Sequence, residues 1–228
     1  MSTLTELRTL SGFVAYEEAD YKYSRDSVTL ISGQNLAIGT VVGLITLAGA
    51  TETHAGNTGN GAMTLDGTTP VLANAIAGVY TVKCIAAAAN SGTFHVLDPE
   101  GRMLGQYIVA GAAFANQIKF TIADGAADFV VGDTFLVTVA AGSGKATALN
   151  FSALDGSQYA AGILIEAVDA SAADKKTTII TRYAILKSST LVWPAGATTA
   201  QKNTAIAQLG GSAPGKSQAR GVIVRSDY

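Results

Sequence analysis

The residues that could do chemistry in this sequence are few, and they are far apart. The chain of 228 residues contains two histidines, His54 and His95, and one cysteine, Cys84. A metal site needs several such ligands at short spacing, and neither histidine has a second histidine or a cysteine at that spacing. Cys84 lies in an apolar stretch without a nearby base, which is typical of an inert, buried thiol. We therefore expect no metal site and no catalysis by histidine or cysteine.

The Gly-Ser-Gly-Lys segment at 142–145 is similar to the end of a phosphate-binding loop. That motif needs a glycine where Val139 stands and a serine or threonine where Ala146 stands. A hinge between domains is the better interpretation of this segment. Three aspartates directly precede a glycine, which indicates hairpin turns rather than a catalytic pair: Asp66, Asp124 and Asp155. The sequence thus predicts no enzyme and no cofactor.

The composition excludes further classes. Only 14% of the residues are charged, 48% are hydrophobic, and the net charge is −2. A near-neutral chain without a basic cluster is not typical of a nucleic-acid-binding protein, and high apolar content is not typical of a disordered chain. No apolar run reaches the about 18 residues that cross a membrane, and the first residues lack the regions of a secretory signal. We expect neither nucleic acid nor membrane as a partner.

The elements that would position these residues are mainly short strands. Through 49–144, apolar or alternating runs recur with turn signals between them, which predicts a small antiparallel β-sandwich. A capping-box pattern, with Thr198 as the N-cap and Gln201 three residues later, predicts one short helix. We therefore predict a mainly β chain. Outside 49–144, strands are predicted at 28–31, 40–46, 161–165, 177–181, 190–194 and 221–224.

Charge marks the same division of the chain. Residues 49–144 carry seven acids and three bases, a net charge of −4, whereas residues 145–228 carry +4. An acidic segment between differently charged flanks indicates an insertion into a host domain. We predict an N-terminal arm at 1–20, a discontinuous domain at 21–48 and 145–228, and an inserted domain at 49–144.

The arm and the residues just after it contain four aromatic residues, more than a disordered tail usually has. They are Phe13, Tyr16, Tyr21 and Tyr23. A frayed terminus is one interpretation. The other is a segment that orders on a partner by adding a strand to the edge of a sheet.

Several motifs occur in an order that resembles the head decoration proteins of phage lambda and its relatives. The resemblance covers 21–48 and 145–209, and residues 49–144 interrupt it. The motifs are the Ser-Arg-Asp segment at 24–26, the strand with Gly162, Ile163 and Leu164, the threonine pair at 177–178, the Leu-Val-Trp-Pro element ending in Trp193 and Pro194, and the helix with Lys202, Thr204 and Ala205.

This resemblance implies a β-clip-like domain with one short helix. It also implies a homotrimer that binds the outside of the expanded capsid at three-fold and quasi-three-fold positions and stabilises the shell against DNA pressure. Its partners would be the major capsid protein and further copies of itself, and its location the outer surface of the virion. We expect the arm to bind the capsid through Phe13, Tyr16, Tyr21, Tyr23 and Arg25.

The remaining motif residues have two possible roles. Gly162, Ile163, Leu164, Trp193 and Pro194 are expected either in the core or at the trimer interface, since aromatic residues are frequent in both. The insert at 49–144 also has two interpretations. It is a spacer or an extra contact between subunits, or it is a displayed adhesion module for a glycan on the host surface.

Overall fold

A computed structural model describes residues 9–18, 20–212 and 221–225, except for the side chains of residues 21 and 22. Among the described residues, strands far outnumber helical residues, which confirms the predicted mainly β class. In chain order the strands are β1 Val14–Glu17, β2 Arg25–Leu30, β3 Gln34–Leu36, β4 Val41–Leu44, β5 Leu47–Thr53, β6 Ala62–Leu65, β7 Gly78–Ala88, β8 Ser91–Leu97, β9 Met103–Ile108, β10 Phe114–Ala115, β11 Lys119–Ala123, β12 Thr134–Ala141, β13 Ala146–Ala148, β14 Ala160–Leu164, β15 Val168–Ala170, β16 Lys175–Ile180, β17 Ala184–Lys187 and β18 Val222–Arg225.

The helices are short, and the described residues fall into two compact units. Unit 1 comprises the described residues of 1–45 and 144–228, and unit 2 comprises 46–143. All of the helical segments belong to unit 1: α1 Leu10–Phe13, α2 Tyr21–Ser24, a 3₁₀ turn Ser188–Thr190, α3 Thr199–Ala207 and a π turn Gln208–Ser212.

Unit 1 is built around a closed barrel of five strands in the order β13-β2-β16-β14-β4. Four of its pairings are antiparallel, and the pairing of β13 with β2 is parallel. Two smaller sheets belong to the same unit, one with the order β1-β17-β18 and one that pairs β15 with β3. Leu30, Val42 and Leu164 are completely buried in the barrel.

Two glycines let barrel strands approach neighbouring backbone more closely than side chains would permit, at the loop before β14 for Gly43 and at β16 for Gly162. A Cβ atom on Gly43 would lie 2.3 Å from the Ser157 carbonyl oxygen, and one on Gly162 would lie 2.7 Å from that of Ile180. Both distances are far below any ordinary van der Waals contact. Close approach of backbones is a characteristic use of glycine inside a strand.

Unit 2 is a β-sandwich. One antiparallel sheet has the order β5-β12-β7-β8-β9, and the other has the order β10-β11-β6. Both sheets contribute to a single apolar core, in which the rings of Phe94, Phe129 and Phe135 pack within 6 Å of one another, with centroid distances of 5.1 to 5.9 Å. Buried and partly exposed residues alternate along β8, as in a strand with one face in the core.

The C-terminal elements agree with the sequence at the helix and differ just before it. Thr198 caps α3, and both hydrogen bonds of the capping box to Gln201 are present. The strand predicted at 190–194 is wrong, because a 3₁₀ turn and a single bridge between Thr40 and Val192 replace it. Pro194 has no N–H to continue a ladder, and the chain turns here towards α3.

Candidate functional site

Among the described residues before β2, Phe13 and β1 pack on the rest of unit 1. The side chain of Phe13 is only 2% exposed and packs into the unit 1 core. Directly after it, β1 pairs antiparallel with β17, with a bulge between Val14 and Tyr16. Residues 1–8 lie outside the described residues. Phe13 therefore holds this segment against the core of unit 1.

A partly buried ion pair fixes the end of the same strand. The guanidinium of Arg25 donates two hydrogen bonds to the carboxylate of Glu17, at 2.7 and 2.8 Å, and the Ser24 hydroxyl donates a third. Burial by itself would raise the pKa of Glu17, but the bonds from Arg25 and Ser24 outweigh it and hold that pKa below its ordinary value. Arg25 thus positions β1 against β2 from within the unit.

Two of the other predicted arm residues are exposed. Tyr16 is 55% exposed and Tyr23 is 61% exposed, whereas the side chain of Tyr21 lies outside the described residues. Tyr16 lies in the small sheet of β1, β17 and β18, and two further exposed side chains occur there: Tyr183 just before β17 and Ile223 in β18. Among the described residues of unit 1, these four are the large hydrophobic side chains classed as exposed.

Sequence reasoning missed Tyr183 and Ile223. The pattern around Ile223 did contain a signal, because Ile223 alternates with the buried Val222 in a short strand, and successive side chains of a strand point to opposite faces of the sheet. No pattern indicated Tyr183, because its exposure depends on a backbone φ of +52°, which interrupts the alternation.

The strand with Gly162, Ile163 and Leu164 is β14, one of the five strands that form the barrel. Ile163 pairs with Ile180, Leu164 pairs with Ile179, and both side chains are completely buried. These residues contact other parts of their own chain, which favours the core over the trimer interface.

Trp193 and Pro194 occupy an intermediate position. Both are half-buried, and Trp193 packs against the same core cluster as Phe13 while its indole N–H points to the Ser188 carbonyl at 3.5 Å. The two residues also line an apolar groove of about 310 Å³ together with Leu36, Thr40, Val41 and Leu149. Trp193 therefore contributes one side to the core and another to the surface.

The residues first considered for chemistry are dispersed through unit 2. His54 contacts Glu52 at 2.7 Å, and His95 contacts Gln106 at 3.0 Å. Cys84 is buried, and this burial raises the pKa of its thiol. Among the described residues, no three His, Cys, Asp or Glu side chains form a group that could hold a metal ion. The described helices include none that is long and apolar enough to cross a membrane.

Two buried aspartates of unit 2, Asp133 and Asp98, accept hydrogen bonds from backbone N–H groups. The carboxylate of Asp133 accepts hydrogen bonds from the N–H groups of Thr58, Gly59 and Val130, at 2.8 to 3.0 Å. Burial by itself would raise the pKa of Asp133, but the three backbone donors hold it below its ordinary value. Asp98 accepts bonds from the loop that follows it, including one from the Arg102 side chain. These two carboxylates hold loops in place, and their oxygens already accept hydrogen bonds from the protein.

Comparison with protein families matches residues 97–214, just over half of the chain, to bacteriophage lambda head decoration protein D. The match begins in unit 2 and continues into unit 1. No curated protein matches the chain.

Two crystal structures of Xanthomonas campestris FlgL resemble parts of it. One is 21% identical over 46% of this chain and 33% of that chain, with a TM-score of 0.29. The other is 20% identical over 52% of this chain and 32% of that chain, with a TM-score of 0.28. The chain thus spans about a third of each, and at these scores the likeness carries no weight.

Proposed function

Because this chain belongs to the phage lambda head decoration protein family and is a structural protein of the phage virion, we propose that it binds the outside of the expanded capsid as a homotrimer. It occupies three-fold and quasi-three-fold positions there, and it stabilises the shell against the pressure of the packaged DNA. The observation that carries this proposal is the family match over residues 97–214.

The construction of unit 1 supports a role in binding rather than in catalysis. The described part of unit 1 is built on a closed barrel, and a binding surface that is already ordered loses little conformational entropy when it binds. A trimer also presents three copies of each contact, so that weak contacts with the shell add up through a high effective concentration. The protein acts without a chemical step, and its partners are the major capsid protein and two further copies of itself.

The N-terminal segment supports a contact by strand addition. In its sheet, β1 is an edge strand that pairs on one side with β17. An exposed edge can accept a further strand from another protein. Tyr16, which lies in β1, and Tyr23, which lies in α2, are both exposed, and we propose them, together with Tyr21, as the aromatic contacts with the capsid. Phe13 and Arg25 support these contacts by holding the segment on unit 1.

Unit 2 is an inserted domain that acts as a spacer or adds a contact between subunits. The outer face of its larger sheet supports this role. Leu136, Thr81, Leu97 and Met103 are consecutive cross-strand neighbours on that face, and two of them, Leu136 and Met103, are exposed hydrophobic side chains. Exposed apolar side chains of this kind are suited to contact with another protein.

The proposal is tested with the purified chain and expanded phage shells that lack a decoration protein. Sedimentation should give the mass of a trimer, and pelleting with the shells should show saturable binding, with little binding to unexpanded shells. A monomer that does not pellet with expanded shells would contradict the proposal.

The aromatic contacts are tested by replacing the rings, because deletion of residues 1–26 would also remove the buried Phe13 and all of β1. The double variant Tyr16→Ser and Tyr23→Ser should remain a folded trimer with at least tenfold weaker binding to shells. The matched control is Val131→Ser, which removes an exposed side chain from unit 2. Equal binding by both variants would exclude these rings as capsid contacts.

A further inference from the structure

The apolar groove of unit 1 opens beside Trp193. Its volume is about 310 Å³, and none of the described residues that line it is charged. Leu36 and Leu149 supply apolar walls, and the hydroxyl of Thr40 already donates to the Ala37 carbonyl oxygen at 2.7 Å. Apolar side chains that replaced water in such a groove would therefore bind favourably.

The backbone around the groove favours an occupant that binds through its side chains. The N–H group of Val41 donates to the Val192 carbonyl oxygen at 3.1 Å, and that of Val192 donates to Gly39 at 2.9 Å. The N–H group of Leu149 donates to Val41 at 3.1 Å. Because these donors are already used within unit 1, they cannot pair with an added strand.

The described N-terminal residues lie next to the groove. Helix α1 packs against the 3₁₀ turn, and the indole N–H of Trp193 points to the carbonyl oxygen of Ser188 in that turn at 3.5 Å. A Cβ atom on Gly39, the residue before Thr40, would lie 3.7 Å from the ring of Phe13. The end of α1 and the groove therefore border the same residues.

Residues 1–8 precede α1 in the chain, and their sequence suits an apolar groove. Leu4, Leu7 and Leu10 recur at every third position, and Leu10 is partly buried against the core cluster that also includes Trp193. An extended segment gains about 3.3 Å per residue, so eight residues reach about 26 Å. That length is ample for Leu4 and Leu7 to enter a groove that begins beside α1.

We propose that residues 1–8 occupy the groove of their own chain, with Leu4 and Leu7 covering Trp193. The covalent link to α1 gives this segment a high effective concentration at the groove, which a separate molecule lacks. The inference goes beyond the proposed function and does not rest on it, because the contact forms within a single chain and is measured without shells.

The single tryptophan of the chain, Trp193, lines the groove and therefore reports its occupant by fluorescence. Deletion of residues 1–8 leaves Phe13 and β1 in place. The emission maximum of the deletion variant should shift to longer wavelength, and acrylamide should quench it at least twofold more efficiently than the full chain. Equal quenching of the two proteins would overturn the inference.

A double substitution tests the two leucines at constant chain length. Leu4→Ser with Leu7→Ser should reproduce the quenching of the deletion variant, because serine gains little from burial in an apolar groove. The matched control is Thr3→Ser with Thr5→Ser, which changes neighbouring polar residues and should behave like the wild type. If the deletion variant fails to fold, this pair of variants decides the question, and equal quenching of the two would overturn the inference.

A substitution in the groove tests the same contact from the other side. Ala37 is exposed and lines the groove, and in Ala37→Glu a carboxylate would have to lose water when the leucines approach. Quenching of Trp193 should rise as in the leucine variant. Adding Ala37→Glu to the leucine variant should change it little further, because both act on one contact. Fully additive effects would overturn the inference.

Two mixtures test the other possible occupants. Deletion variant that retains Trp193 is refolded together with full-length Trp193→Phe, and quenching should stay as high as in the deletion variant alone. Protection of Trp193 in this mixture would overturn the inference, because the segment would then dock on another copy. If the full chain and the deletion variant are quenched equally and expanded shells protect Trp193 in both, the occupant is the major capsid protein, and the inference fails while the proposed function stands.

Discussion

The two units of this chain exclude water from strands of similar length in different ways. In unit 1, every residue of β14 is buried, because both of its faces are covered: Leu164 packs with Leu30 and Val42, and Ile163 belongs to a second cluster with Ala205 and Leu209. In unit 2, β8 alternates between buried and partly exposed residues, and its buried side consists of large side chains such as Phe94. Unit 1 depends on the close approach of backbones, whereas unit 2 depends on the volume of its aromatic core.

This difference determines which substitutions each unit tolerates. A tightly packed backbone is disrupted by an added atom, whereas a core of large rings is disrupted by the removal of atoms. The chain provides one probe for each unit. Its single tryptophan, Trp193, reports unit 1 by fluorescence, and its single cysteine, Cys84, is buried in unit 2 and reports that unit by its reactivity towards a thiol reagent.

The largest effect is expected for Phe94→Ala in unit 2. The ring is completely buried between Phe129 and Phe135, and a cavity of this size costs about 4 kcal/mol. Cys84 is the cross-strand neighbour of Phe94, so its thiol should become reactive at much lower denaturant concentration. The control is Ile108→Ala, whose side chain is 59% exposed. If the Trp193 transition moved as far as the Cys84 transition, the units would not unfold separately.

The converse experiment adds one methyl group to unit 1. In Gly43→Ala, the new Cβ would lie 2.3 Å from the Ser157 carbonyl oxygen, and we expect a loss of about 3 kcal/mol. The Trp193 transition should shift, whereas the reactivity of Cys84 should not change. Gly49→Ala is the control in unit 2, because a Cβ atom at that position would have nothing within 4 Å of it. Equal stability of these two variants would remove the basis of the comparison.

A third variant tests the loops of unit 2. In Asp133→Asn, one carboxylate oxygen that accepts N–H groups is replaced by an amide that donates, at a cost of about 2 kcal/mol. Cys84 reports this change directly, because its N–H donates to the Asp133 carbonyl oxygen at 2.8 Å. The contrasting case is Asp128→Asn, since Asp128 is exposed and accepts one backbone bond, from Asn90.

The same aspartate makes the stability of unit 2 dependent on pH. The pKa of Asp133 is lower in the folded chain than its ordinary value of about 4. Its contribution is therefore complete above that ordinary value and is lost as the pH falls through the folded pKa. Between pH 5 and pH 2, the stability difference between wild type and Asp133→Asn should shrink. A difference that stayed constant would exclude this carboxylate as the source.

The predictability of each unit follows from its packing. Alternation in unit 2 located its strands, because one buried face per strand leaves a period of two in the sequence. The predicted run at 93–97 lies within Ser91–Leu97, and the run at 134–139 lies within Thr134–Ala141. In unit 1 the capping box of Thr198 could be predicted from the sequence, because its hydrogen bonds join residues that are only three positions apart.

The closure of the barrel and the packing of Phe13 and β1 could not be predicted, because these contacts join residues far apart in the sequence and leave no pattern among neighbouring residues. The parallel pairing of Ala146 with Leu30 joins residues from opposite sides of unit 2 in the sequence. The aromatic pattern of the arm indicated contacts, but it did not distinguish the buried Phe13 from the exposed Tyr16. That distinction depends on the core of unit 1, to which distant parts of the chain contribute.

The smallest expected effect concerns the ion pair at the end of β1. In Arg25→Lys, an ammonium group replaces a guanidinium that donates two hydrogen bonds to Glu17, and we expect a loss of about 1 kcal/mol because lysine does not reproduce the two-bond geometry. The Trp193 transition should shift slightly, and Lys176→Arg is the control at an exposed position. Because this pair lies at the edge of unit 1, its loss should cost less than Gly43→Ala. A loss as large as that of Gly43→Ala would mean that the edge, and not the close approach of the barrel strands, limits the stability of unit 1.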